Sequence, residues 1–271
     1  MSNSTSNGTA LVTGASTGIG AIYADRLAKR GFNLILVARD AGRLQALADR
    51  LTFETGRAIK VLPADLGNGG DLAKVEAVLR EDPSITMLVN NAGVASVAPL
   101  LNANIDRMQD MIALNITALT RLTYAVAPAL VARGAGTIIN IASVVGLAPE
   151  LLNGVYGATK AYVIAFSQSL QHELADKGVR IQAVLPGATA TDLWERAGMH
   201  HRNLPEGIVM APAAMVDAAL TGLDHGEIVT IPPLQDGDDW THYEAARRVL
   251  SQRFGHSEPA PRYLAEFTAA A

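Results

Sequence analysis

The sequence predicts an α/β fold: a doubly wound, parallel sheet of seven strands carried on a single domain. Three observations predict it. Short runs rich in aliphatic and β-branched residues alternate with longer stretches of helical periodicity, at the spacing of βα units. Most of the short runs are continuously apolar, as strands covered on both faces are. The first run opens through a glycine-rich turn directly into a helix. A length of 271 residues suits one large α/β domain with a sizeable core.

Taken in order, "TALVTG" (9–14) is the first strand, and the helix after it spans about 18–30 and is closed by Gly31. "NLILVAR" (33–39) is the second strand, followed by the helix "AGRLQALADRLTFET", with Asp40 as its cap. "AIKVLPA" (58–64) and "ITMLVN" (85–90) are the third and fourth strands. A long helix over about 104–132 comes next, apolar over much of its surface, then the fifth strand "GTIINIAS" (136–143). The helix over about 155–176, with "AYVIAF" at its centre, is apolar nearly all round and needs cover on both sides. The sheet supplies one cover, and a second subunit is the expected other, because the chain has few further layers to offer. "GVRIQAVLP" (178–186) and "EIVTIP" (227–232) complete the seven strands, with a loop-and-helix lid over about 187–226 between them. Residues 9–232 thus form the domain, 1–8 a disordered polar arm and 233–271 a C-terminal extension. In the extension Trp240, Tyr243, Arg247, Leu250 and Phe254 stand at helical spacing, as in an amphipathic helix.

Composition removes several function classes. The formal net charge is −4 with no basic block, which leaves nucleic-acid binding without electrostatic support. No cysteine is present, so disulfides, thiol nucleophiles and Cys-ligated zinc are excluded together. The N-terminus reads as neither signal nor anchor, and apolar runs break before the ~18 residues of a membrane span. A cytoplasmic protein without a membrane partner is the expectation.

The polar residues that interrupt the apolar pattern collect at strand ends. "TGASTGIG" (13–20) joins the first strand to the first helix, where Gly14, Gly18 and Gly20 permit a tight turn and close approach to a pyrophosphate. "NNAG" (90–93) ends the fourth strand and Ser143 the fifth. Asn115 interrupts an apolar stripe of Met108, Met111, Ile112, Leu119 and Leu122, and a buried amide needs partners. Tyr156 and Lys160 are one helical turn apart and so share a face. Each feature alone is ordinary: a turn glycine, a core Asn, a turn Ser. His200–His201 lack a third ligand at metal-site spacing and read as exposed loop histidines.

Together, "TGASTGIG", "NNAG", Asn115, Ser143, "YGATK" and "PGATAT" resemble, in order and approximate spacing, the short-chain dehydrogenase/reductase family over roughly residues 9–232. The departures are Thr159, where a Ser often precedes the Lys, and Thr17, where a basic residue often sits. The resemblance implies a Rossmann-type sheet and a nicotinamide cofactor held by Gly14, Ser16, Thr17, Gly18, Ile19 and Gly20, by Asp65 and Leu66, and by Asn91, Ala92 and Gly93. It further implies that Pro186, Gly187, Thr189 and Thr191 clamp the nicotinamide. Tyr156 is then the general acid or base, Ser143 bonds the substrate oxygen, Lys160 holds the ribose, and Asn115 positions a water that relays protons to Lys160. A free phenol ionises at ~10 and a neighbouring positive charge lowers an acid by ~1–3 units, so Lys160 with the oxidised nicotinamide's positive charge is expected to bring Tyr156 towards working pH.

Cofactor choice turns on the end of the second strand, where an acidic residue about 20 residues past the glycines normally holds the 2′-hydroxyl of NAD. Ala38 stands there and Arg39 follows, which favours NADP(H). Val94, Leu147, Leu151, Leu193, Trp194 and Met199 are expected to line an apolar substrate pocket. The expected function is NADP(H)-dependent interconversion of a hydrophobic ketone or aldehyde and its alcohol. The alternative is a catalytically idle dinucleotide-binding scaffold. A homodimer or homotetramer through the helices at about 104–132 and 155–176 is expected.

Overall fold

The computed structural model describes residues 7–264. The expected polar arm therefore lies outside the described residues except for Asn7 and Gly8, as do residues 265–271 at the end of the tail. The seven strands are β1 (Thr9–Thr13), β2 (Asn33–Ala38), β3 (Ile59–Pro63), β4 (Ile85–Asn90), β5 (Gly136–Ile141), β6 (Val179–Val184) and β7 (Val229–Thr230). They form one sheet in the order β3-β2-β1-β4-β5-β6-β7, and every pair is parallel. The winding reverses between β1 and β4, so a crevice opens beyond their carboxyl ends. β3 is only partly covered because it is the sheet edge, and β7 pairs over two residues instead of the six expected.

The helices of the body are α1 (Gly18–Lys29), α2 (Ala41–Thr55), α3 (Gly69–Glu81), α4 (Ile105–Ile112), α5 (Leu119–Arg133), α6 (Gly154–Leu174), α7 (Leu193–Ala197) and α8 (Pro212–Asp224). Successive residues of a strand point to opposite faces, so the sheet feeds two cores. Val12 joins Leu27 of α1, Leu44 of α2 and Leu220 of α8 on one face. Leu11 joins Val75 of α3, Leu122 of α5 and Leu170 of α6 on the other. Asp40 caps α2 by accepting from the Arg43 N–H at 2.9 Å.

Two expectations change. The long helix expected over 104–132 is α4 and α5 joined by a π-helical stretch, Ala113–Ala118. The wider turn alters which side chains face inwards, and Ile112 is 42% exposed although it belonged to the predicted apolar stripe. Ile105–Arg133 is also long and apolar enough to cross a membrane by length and composition, contrary to expectation; 44% of its apolar window is buried. In this fold α5 packs on α3, β4 and β5. The segment 187–226, expected as a lid, ends in a regular helix of the body. A bridge joins Thr189 to Met210, and α8 beyond it is a core helix against α1.

From Leu234 the chain forms a separate compact unit. Its helix α9 (Gly237–Ser251) is capped by Asp236, stacks Trp240 on Tyr243 at 5.3 Å and has no buried residue. The helix stops before Phe254, which the predicted amphipathic face included.

Candidate active site

A cavity of about 780 Å³ occupies the crevice at the carboxyl edge of the sheet. Sheet order fixes its long axis. Arg39 follows β2 and Asp65 follows β3 on one side of β1, whereas Ser143 follows β5 on the other, and all three line the cavity. Ser16, Thr17, Gly18 and Ile19 line the middle with Asn91, Ala92 and Gly93 opposite.

The glycines of the first turn divide their work. A Cβ on Gly14 (φ +64) would lie 2.8 Å from Asn91 Nδ2, and one on Gly20 would lie 2.3 Å from the Gly14 carbonyl. Gly14 and Gly20 therefore let the turn close on itself and on the end of β4. Gly20 does not line the cavity, which corrects its expected ligand contact; Gly14 and Gly18 (φ +55) do line it. Asn91 staples the turn, with Nδ2 donating to the carbonyls of Thr13 at 2.9 Å and Gly14 at 3.2 Å. Thr17, before α1, makes no side-chain capping bond, and the first turn of α1 holds no acidic residue. The positive end of α1 is thus open to an anion, and the residues present fit a dinucleotide pyrophosphate.

At the far end α6 carries Tyr156 and Lys160, 6% and 7% exposed. Lys160 Nζ lies 5.8 Å from the centroid of the Tyr156 ring and donates to the Ile141 carbonyl at 2.8 Å. Burial pushes the Tyr156 phenol up to about 12, and only a hydrogen bond with Ser143 works against that. Burial pulls the Lys160 ammonium down to about 8. Among the protein's own groups only Ser143 lowers the phenol; the expected lowering calls on the nicotinamide's positive charge together with Lys160. Both groups are dry, and burial favours the neutral form of each. The Ser143 hydroxyl also donates to the Pro186 carbonyl at 3.3 Å.

Asn115 sits in the π-helical stretch, 3% exposed and outside the cavity lining. Its Oδ1 accepts from the Val94 N–H at 2.9 Å, and its Nδ2 donates to the Val94 carbonyl at 2.9 Å and to Thr159 Oγ1 at 3.1 Å. Thr159 Oγ1 in turn donates to the Tyr156 carbonyl at 2.8 Å, so Asn115 reaches the Tyr156 helix through a residue sequence reasoning noted only as a departure. Its side chain is engaged with protein groups; the side chain itself is spoken for by the loop and the helix.

Leu66, Pro186, Gly187, Thr189 and Thr191 line the cavity, as do Val94, Leu151, Leu193 and Trp194. Trp194 is anchored by donation from Nε1 to the Thr189 carbonyl at 2.9 Å. Leu147 and Met199 fall outside the lining, because both lie in irregular loops whose facing no periodicity sets; Leu152, Val97 and Ile208 are in it. Sequence reasoning also missed Arg43, which lines the cofactor end beside Arg39 and meets Asp40 at 3.3 Å. Its signal was the three-residue step from the helix cap.

Comparison with known proteins accords with this arrangement. The short chain dehydrogenase profile matches residues 8–201. An uncharacterized oxidoreductase of Staphylococcus epidermidis is 36% identical over 211 residues, covering 74% of this chain and 89% of the relative. Among solved structures, a short-chain dehydrogenase from Sphingobium yanoikuyae in complex with NADPH is 50% identical with a TM-score of 0.92, over 94% of this chain and 99% of that one. The bulky-bulky ketone specific alcohol dehydrogenase from Comamonas testosteroni is 48% identical with a TM-score of 0.88, over 96% and 100%. The parallel sheet with its reversal between β1 and β4, the open helix end, the tyrosine–lysine turn of α6 and the profile match over most of the chain lead to one conclusion: this chain belongs to the short-chain dehydrogenase/reductase family of oxidoreductases.

Proposed function

We propose that this oxidoreductase reduces bulky hydrophobic ketones or aldehydes with NADPH, and oxidises the matching alcohols with NADP. The observation that carries the reading is the single cavity that holds Arg39 and Arg43 at one end and Ser143, Tyr156 and Lys160 at the other. The bound cofactor supplies or accepts the hydride. Arg39 and Arg43 favour a 2′-phosphate, since Ala38 offers no carboxylate to a free ribose hydroxyl. The open N-terminus of α1 takes the pyrophosphate, and Thr189 and Thr191 flank the nicotinamide end.

Tyr156 holds a proton at Oη throughout neutral pH and delivers it to the carbonyl oxygen as the alkoxide forms. Ser143 donates to the same oxygen. Lys160 returns a proton towards the phenol, which its lowered value near 8 permits. Val94, Val97, Leu151, Leu152, Leu193 and Trp194 present an apolar wall suited to a substrate with large flanking groups. The NADPH-bound and bulky-ketone neighbours support both halves of this reading. A dinucleotide-binding scaffold could use Lys160 for the ribose but has no use for a proton donor beside it, and Tyr156 is present on the same face. The test is NADPH oxidation against graded ketones, aldehydes and keto acids, with secondary alcohols and NADP in reverse. Turnover restricted to charged or sugar substrates, or none with NADPH bound, overturns the reading.

The same reading includes assembly through the outer face of α5 and α6. There Tyr162 and Phe166 stack at 5.6 Å, and Phe166 stacks on Tyr124, which is 67% exposed. An isologous contact would cover this face. Phe166→Asp is expected to weaken it, and light scattering that finds the native protein monomeric at micromolar concentration rejects it.

A further inference from the structure

Residues 94–99, of which Val94, Ala95 and Val97 line the cavity, have no regular secondary structure, so their shape depends on what holds their backbone. Asn115 holds one end through both the N–H and the carbonyl of Val94. In the middle, the Val97 N–H donates at 3.3 Å to the carbonyl of Ala197, the last residue of α7. Asn153 holds the other end, donating from Nδ2 to the Ala98 carbonyl at 2.6 Å.

Asn153 is also the cap of α6. Its Oδ1 accepts from the N–H groups of Val155 at 2.9 Å and Tyr156 at 3.3 Å, and the residue is 7% exposed. A cap needs only the acceptor, and Ser, Thr or Asp serve there about as well as Asn. The donating half of the amide is superfluous to the helix and is spent on the wall. We propose that Asn153 is a positioning residue that, through Ala98, ties the adjoining wall residue Val97 to the first turn of the helix bearing Tyr156. One side chain then sets both the room left for the substrate and the placement of the phenol. The proposal rests on the carbonyl-reduction reading above and adds to it a determinant of substrate size.

Two variants separate the halves of the amide. Asn153→Asp keeps the cap and loses the donor, whereas Asn153→Ala loses both. Hydrogen exchange of the full chain with NADPH present reads the two ties without any turnover. Exchange in 94–99 should quicken by about tenfold or more in both variants, while the Val155 and Tyr156 amides lose protection only in Asn153→Ala. In steady state, Asn153→Asp should raise KM for a bulky ketone about fivefold and leave kcat for a small one within about twofold; Asn153→Ala should lower kcat for both. If the new carboxylate prevents folding, Asn153→Ser makes the same separation with a shorter acceptor. Unchanged exchange in 94–99 in the cap-preserving variant overturns the proposal, as does an equal loss of kcat and KM selectivity in both variants. A native protein that binds NADPH and reduces no carbonyl defeats the functional reading instead, and the exchange result still decides the tie to Ala98.

Discussion

The two ends of the cavity both carry cations, in opposite surroundings. Lys160 is 7% exposed and spends its ammonium on a backbone carbonyl. Arg39 and Arg43 are exposed, and Arg43 shares Asp40. A group that has to exchange a proton is dried until its two forms are close in energy. A group that has to meet a phosphate is left exposed as a guanidinium, whose planar fork of donors matches that anion. Asp25 shows that burial alone does not mark function. It is 5% exposed, and although burial raises its carboxyl, Lys29, Arg26 and Arg50 together hold it below the ordinary value. A buried charge with a full set of partners braces α1; one without is available for chemistry.

The sharpest way to break this contrast is at the dry end. Tyr156→Phe keeps the ring and removes the proton, so turnover should fall by at least ~10²-fold while NADPH affinity, followed by fluorescence titration, stays near native. Near-normal turnover would mean that the dry end is not where the proton moves. At the wet end, a charge-assisted bond contributes roughly 1.5–3 kcal/mol, so NADPH should be preferred to NADH by about tenfold to a hundredfold in kcat/KM. Replacing Ala38 by Asp and Arg39 by Leu should reverse that preference, and Arg43→Ala should reduce it by about threefold to tenfold. A preference unmoved by these changes would make both arginines plain surface charges.

Stability should respond in opposite senses to the two buried charges. The fall of Lys160 from 10.5 to about 8 corresponds to a burial penalty of about 3 kcal/mol. Lys160→Met removes it and strands one carbonyl, for a net gain of roughly 1–2 kcal/mol at pH 7 by urea unfolding. Because the folded value lies below the unfolded one, the penalty is full below about pH 8 and fades as pH rises towards the ordinary lysine range, so the gain should shrink likewise. Asp25→Asn should lose roughly 1–2 kcal/mol, with kcat unchanged. The smallest expected effect is in the pH profile. Reductive kcat/KM should decline above about pH 8 as Lys160 loses its proton, whereas alcohol oxidation should rise with pH. A flat reductive profile through that range would detach Lys160 from proton supply.

Sequence made the reactive end legible because its residues keep local spacings: Tyr156 and Lys160 share one helical turn, and Ser143 closes a strand. The glycine turn was legible for the same reason. Arg43 was not, because on a helix surface it resembles any solvated arginine until β2 and β3 bring it to the cavity. Asn153 was hidden differently. Asn before a helix announces a cap, but its second partner, Ala98, lies 55 residues away. The π-helical stretch left no mark at all, since "ALNITA" is compatible with an ordinary helix and only Ile112 betrays the altered facing. The phenol's value eluded sequence because it depends on how dry the site is.

That stretch also makes the chain sensitive to its length in a way substitution scans do not sample. A π-helical turn contains one residue more than the regular helix it interrupts, and regular helices are the more stable form. Deleting a single residue from Ala113–Ala118 should let α4 and α5 join into one unbroken helix while drawing Asn115 away from Val94 and Thr159. Thermal melts should then show a less stable protein despite the regular helix, because the buried Asn115 amide and the Val94 backbone lose their partners, with a slackened pocket wall and poor turnover. The spare residue is carried for the loop it reaches, not for the helix that contains it.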